Sequence, residues 1–385
     1  MRPGVRGSRH GVLTRLRTAT VLGVAAAAVW LAGCASDKPK PTPLSALTPK
    51  IAGRQVWQAK LDGARFPLGI VSVAGQYVVA GDDGTVLALD AATGREVWRG
   101  QAGAKLAAGV GSDGRFAAVV TAQQELVVLD RGQAVWRARL GARTLTPPLV
   151  AGERVFVMSV DRVVRAFDAL DGRRLWTFQR PGDPLGLAQP GVVSAFRDTL
   201  VVGQGPRMVG LDSLKGTVVW DVAVANPRGT NEVERLAELV GPAARQGNAL
   251  CVRAFQSAVG CVAGERGTLQ WARNVGGSRA VGADEAVVVA GDASDRLTAW
   301  KRANGDLAWT NESFLHRELG GMVVTGKSVV FGDGQGMVHF LDRDSGEPVL
   351  RLPTDGSAIA GAPALSGTTL LVATRAGGLF AFRPE

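Results

Sequence analysis

The chain has 385 residues, 46% of them hydrophobic, with 51 glycines and a single tyrosine, which supplies a large core and favours strands with tight reversals. Its formal net charge is +10, but Arg2, Arg6, Arg9, Arg15 and Arg17 fall in an opening stretch without acids, and the other 39 basic and 34 acidic residues are scattered. That dispersal excludes a nucleic-acid footprint, which needs basic residues gathered on one face.

Residues 1–33 read as a signal peptide. An Arg-rich start is followed by TATVLGVAAAAVWLAG, an apolar run too short to span a bilayer comfortably. The run ends in Leu31-Ala32-Gly33-Cys34, small residues before a cysteine, which resembles the bacterial lipobox. The resemblance implies lipid modification of Cys34 and anchoring by acyl chains rather than by a spanning helix. Ala35 follows the cysteine where an aspartate would signal inner-membrane retention, so the implied location is the periplasmic face of the outer membrane. Residues 34–50 carry Pro39, Pro41, Pro43 and Pro49 without apolar periodicity, and are expected to be a lipidated flexible tether.

Residues 51–385 are built from one recurring unit. In VLALDAATGREVW, ending at Trp98, a strand leads through a Gly-containing reversal into a second, antiparallel strand. Related units end at Trp136, Trp176, Trp220, Trp271, Trp309 and Leu350, and an upstream half-copy carries Trp57. Successive spacings of these eight positions are 41, 38, 40, 44, 51, 38 and 41 residues. A period near 40 with four short strands per unit is the signature of a β-propeller. One unit reads as Leu68–Val73, Gln76–Gly81, Thr85–Asp90 and Arg95–Arg99. The last unit has three strands, Ala358–Leu365, Thr369–Thr374 and Gly378–Arg383, while Gln55–Leu61 is an orphan. The expectation is therefore an all-β, eight-bladed propeller of four antiparallel strands per blade, with the N-terminal strand closing the last blade. The Trp at the end of the fourth strand is expected to fill the wedge between diverging blades. Asp90, Asp130, Asp168, Asp212 and Asp342 are expected to accept amide hydrogens in the turn before it. These turns and tryptophans resemble the quinoprotein-type propeller repeat.

Three connections exceed the period: Arg180–Gln189, Asn226–Gly241 and Asn311–Leu319. Each joins an outer strand to the next inner strand, so all belong to one face of the disc, where surplus loop length usually serves binding. Leu185 and Leu187 form either an exposed interaction patch or a pair tucked on the blade beneath. GTNEVERLAELVG reads as a short helix or an extended arm, reaching outward or capping its own propeller.

NEVERLAEL and FLHRELG, with the lipobox and the eight repeats, resemble the BamB family of outer-membrane barrel-assembly lipoproteins over essentially the whole chain. That resemblance implies a non-catalytic scaffold without cofactor or metal. It would bind the periplasmic POTRA repeats of the central barrel-assembly protein, BamA, and associate with the other subunits of that complex and with unfolded outer-membrane proteins. By motif, Leu185 and Leu187 match two apolar contact positions and Glu238 an acidic one, and Arg235 joins them as a candidate partner-binding residue. Ala188 and Val240 depart from the family pattern, which carries charged residues there.

The competing class is a pyrroloquinoline quinone dehydrogenase or a small-ligand-binding propeller. The dehydrogenase needs vicinal thiols and converging carboxylates, and the chain has no adjacent cysteine pair. Cys251 and Cys261 lie across a hairpin, either as a disulfide or as two buried thiols. His10 is in the signal peptide, and His316 and His339 are too scattered for a metal cluster. Residues 109–114 fit GxGxxG, but a strand follows where a phosphate loop needs a helix.

Overall fold

The central strands of each repeat are apolar at nearly every position. Gln76–Ala80 (QYVVA) and Thr85–Asp90 (TVLALD) bury all but their first and last residues, respectively. A strand covered on both faces must be sandwiched between other sheets, and stacking one repeat against the next around a ring satisfies this for every copy. The computed structural model describes residues 39–180, 186–227 and 236–384, together with Met1, Pro3 and Gly4. The chain divides into Met1–Lys40 and Pro41–Glu385, and every strand belongs to the second unit.

That unit is an eight-bladed β-propeller. Blades one to seven occupy residues 71–101, 106–139, 149–178, 193–223, 239–274, 282–311 and 322–353, each a four-stranded antiparallel meander. Blade eight takes three strands from residues 359–384 and its fourth from Gly53–Lys60, which pairs antiparallel with Gly378–Pro384. The orphan strand thus closes the ring, as the sequence predicts. Among the described residues all regular structure is strand, and no helix is long and apolar enough to cross a membrane.

The inner strands are short, Val71–Val73 at blade one, where Leu68–Val73 is expected, and Leu149–Ala151 at blade three. They converge on the axis, where backbones approach too closely for side chains. A Cβ on Gly111 would collide with the Pro148 carbonyl, and one on Gly241 with that of Gly191. The GxGxxG at 109–114 belongs to this crowding: Gly109 and Gly111 lie within the strand Leu106–Ser112.

Each marker tryptophan spans a blade junction. A bulge at that point in the fourth-strand pairing, as between Ala88 and Leu89 or Ala166 and Phe167, turns the indole toward the next blade. Trp57, Trp136, Trp176, Trp271 and Trp309 donate their Nε1–H to the carbonyls of Ala91, Ala169, Ser213, Arg302 and Arg343 at 2.7–3.1 Å. Beneath the rings sit the turn glycines of that next blade. At Gly94 and Gly172 φ is +71° and +74°, and an added Cβ would lie 2.5–2.6 Å from the indoles of Trp57 and Trp136. Only glycine meets both demands. Asp90, Asp168, Asp212 and Asp342 accept turn amides as expected. Asp130 differs: its turn is shorter, and its carboxylate takes Arg115 at 2.7 Å instead.

The segment before the first strand is partly held. The Thr42 amide donates to the Leu315 carbonyl, the Lys50 amide donates to the Val349 carbonyl, and Leu44 packs on the core between blades six and seven. Residues 42–50, expected within a flexible tether, run along the propeller because their backbone finds these partners.

Candidate functional site

Two of the long connections meet. The loop after blade three ends at Pro190 and the loop after blade four enters the strand Leu239–Gln246. Glu238 stands at that entrance, fixed by its carbonyl accepting the Phe255 amide and by the Leu239 amide donating to Gly205. Its Oε2 accepts the Leu187 amide at 2.6 Å, and its Oε1 accepts Arg162 Nε at 2.7 Å. Arg162 lies in a turn of blade three, where its own carbonyl takes Gln204 Nε2 at 3.0 Å. Both ion-pair partners are mostly buried, at 21% and 16% side-chain exposure. Gly241 donates to Pro190, and Gly191 bridges Val240, so the two loop ends are also stitched through the backbone. Beneath them Thr146, Met158, Leu187, Gln189 and Glu238 line a cavity of about 30 Å³. That space holds a water rather than an organic ligand, and the buried Gln189 Nε2 finds no protein partner among the described residues.

Of the residues singled out by sequence, Leu187 and Glu238 are therefore brought together. Leu185 and Arg235 lie outside the described residues, as does Cys34. Leu187 is half-buried. Ala188, one of the two departures, is exposed beside it, whereas Val240, the other, is a buried strand residue. Leu239 and Val240 begin a strand, so a helix in GTNEVERLAELVG cannot extend to them.

The third long connection is a plug. Phe314 is fully buried, edge-on to Phe331 and His339 at 5.2 and 4.9 Å. Arg317, 3% exposed, places Nε and Nη2 on Asp333 Oδ2 at 2.9 and 2.6 Å and donates Nη1 to the Thr42 carbonyl at 2.9 Å. His339 Nε2 lies 2.9 Å from the same carboxylate oxygen. Burial alone would raise the Asp333 pKa, but hydrogen bonds from His339, the Met337 amide and Arg317 outweigh it and hold the carboxyl at about 2. Burial pushes His339 below the ordinary histidine value. His316 takes a left-handed φ of +58° and donates its amide to Ser294, a structural placement.

Sequence reasoning missed Arg253, a fully buried guanidinium without a carboxylate contact among the described residues. It donates to the carbonyls of Val275, Gly276, Arg279 and Gly291, clamping the connection between blades five and six. Burial lowers its pKa to about 10, so it stays charged at neutral pH. Its partners are backbone atoms, which leave no trace in the pattern of residue types.

Cys251 and Cys261 stand opposite each other in adjacent strands of blade five and are joined by a disulfide. Both are buried against Trp271 and Val288, at the junction with blade six. Among the described residues no three His, Cys, Asp or Glu side chains group as a metal site. The Cys251–Cys261 cystine is set in blade walls and joins two strands rather than adjacent residues, and this donor set does not fit a quinone cofactor with Ca²⁺.

The family model described as "Outer membrane protein assembly factor BamB" matches residues 43–107 and 82–311. A curated protein of that name from Burkholderia pseudomallei is 37% identical over 376 residues, 96% of this chain and 99% of its own length. The chain belongs to the BamB family. A further BamB, from Bordetella pertussis, is 32% identical over 92% of this chain and 94% of its own. Among solved structures, BamB from Moraxella catarrhalis superposes with a TM-score of 0.77 at 21% identity, covering 86% of this chain and 99% of that one. A quinohemoprotein alcohol dehydrogenase from Comamonas testosteroni reaches a TM-score of 0.63 at 15% identity, covering 86% and 76%. That likeness concerns the fold, and the BamB assignment rests on sequence.

Proposed function

We propose that the chain is a non-catalytic, lipid-anchored scaffold of the outer-membrane barrel-assembly machinery. It grips the POTRA region of the central assembly protein through the joined loops after blades three and four. The observation that carries this reading is the Leu187–Glu238–Arg162 link. It fuses two surplus loops into one preorganised surface, which lowers the ordering cost of binding. Glu238 spends both carboxylate oxygens inside the chain, so its part is to present Leu187 rather than to reach the partner. The leucines supply apolar anchors, which stabilise an interface by leaving water at its centre. Cys34 supplies the membrane anchor.

The test is co-purification from detergent-solubilised envelope. Leu187→Asp removes the POTRA-bearing protein from the eluate, while Leu214→Asp, at a rim leucine 60% exposed, leaves it. Retention of the partner by the Leu187 variant overturns the reading. Cys34→Ala moves the protein from the membrane to the soluble fraction, and a membrane-bound variant would refute the anchor.

A further inference from the structure

Seven blade junctions carry an indole at the marker position: Trp57, Trp98, Trp136, Trp176, Trp220, Trp271 and Trp309. The eighth, between blades seven and eight, carries Leu350. The register is the same. Trp309 lies over Gly346, the turn glycine of the next blade, and Leu350 lies over Gly53, where a Cβ would meet its Cδ2 at 2.8 Å. Blade eight has no turn at that point, because its outer two strands come from distant parts of the chain. Arg343, whose carbonyl receives the Trp309 indole, directly follows Asp342, which pairs with Ser328 across the blade. In blade eight Pro384 stands in that place, one residue beyond Arg383, whose guanidinium bonds Thr369.

Leucine fills less of the wedge than tryptophan does, and a cavity of about 270 Å³ remains. Val330, Phe340, Leu350, Leu352, Leu365 and Phe382 line it, with Gly53 and Pro384 at its edge. About 150 Å³ of apolar space suffices for a benzene ring, so this one takes a bicyclic aromatic.

We propose that the junction of blades seven and eight is a receptor site for one aromatic side chain, tryptophan above all, presented by a polypeptide partner. The molecule itself specifies the occupant. At five of its other junctions the same frame holds an indole between an apolar wall and a backbone carbonyl, and here the wall and the Pro384 backbone remain while the ring is missing. The site is independent of the loops after blades three and four.

The probe is the peptide Ac-Gly-Trp-Gly-NH₂, titrated into the Cys34→Ala full chain without detergent and followed by methyl NMR of Leu352 and Leu365. Ac-Gly-Ala-Gly-NH₂ and decanoate are the comparison arms. The expected result is saturable shifts with the Trp peptide and none with the Ala peptide. In Leu350→Trp, which supplies the indole internally, affinity falls by at least about tenfold and the melting temperature rises. Where Leu350→Trp fails to fold by circular dichroism, Leu365→Trp fills the site from the facing blade. No saturable shift with the Trp peptide, equal shifts with the Ala peptide, binding by decanoate alone, or undiminished binding to a filled variant each overturn the proposal.

Discussion

The Leu187 amide and the Glu238 carboxylate, 51 residues apart, meet at 2.6 Å and tie together two loops that follow different blades. The same carboxylate holds Arg162, so one side chain sets the relative position of three segments. Glu238→Ala is expected to release the Leu187 amide while leaving the blades intact. Hydrogen exchange at Leu187 then accelerates by about tenfold or more, the loss of one charge-assisted hydrogen bond of about 1.5–3 kcal/mol. Unchanged protection at Leu187 would show that the loop stands without it.

Asp333 gives the ring an acid-sensitive joint. Its folded pKa of about 2 lies below the ordinary aspartate value of 3.8, so the stability it contributes is complete above the higher value. That stability is lost as pH falls from about 4 toward 2. Asp333→Asn removes this dependence and leaves Arg317 buried without its counter-charge, a loss of about 3–5 kcal/mol at neutral pH. Thermal unfolding at pH 7 and pH 3 checks both: the wild-type loses stability between them through this group, and the variant starts lower and falls less. An equal acid-induced drop in the two proteins would count against it.

The indole seats separate two costs that usually travel together. Gly172 and Gly152 both have positive φ, +74° and +57°. A Cβ on Gly172 meets the Trp136 ring at 2.6 Å, whereas on Gly152 it meets nothing within 4 Å. Gly152→Ala should cost about 1 kcal/mol of backbone strain, and Gly172→Ala about 1–3 kcal/mol more for overpacking the ring. Equal denaturation midpoints for the two variants would remove the indole contact from the account.

Arg253→Lys is expected to behave as a severe substitution. The guanidinium reaches four carbonyls in different directions at 2.7–3.3 Å, and a single ammonium cannot match that fork. The loss should be about 2–4 kcal/mol, from stranded carbonyls and a buried charge. A urea midpoint equal to wild-type would show that the loop between blades five and six adapts.

The ring was legible because its main determinants are written as side-chain types at a fixed interval: the tryptophans, the turn aspartates and the unpaired run that became Gly53–Lys60. What escaped depends on backbone partners. Arg253 looks like any surface arginine until its carbonyls are assembled around it. The Thr42–Arg317 bond hid in a proline-rich segment that read as a spacer. Glu238 stood out as an acid, but its inward role depends on an amide in another loop. Phe314 and Arg317 fell within a stretch marked as surplus length, and only burial shows that it fills a junction rather than extending from one.

Closure by Gly53–Lys60 and Gly378–Pro384 has a consequence for biogenesis. The latch strand is synthesised early and must wait, unpaired, until nearly all of the remaining chain has been made. Until then its backbone groups are open to wrong partners, and the late, long-range search that ends this exposure is the slow kind of folding step. A chaperone would find its clearest target there, on the half-finished circle.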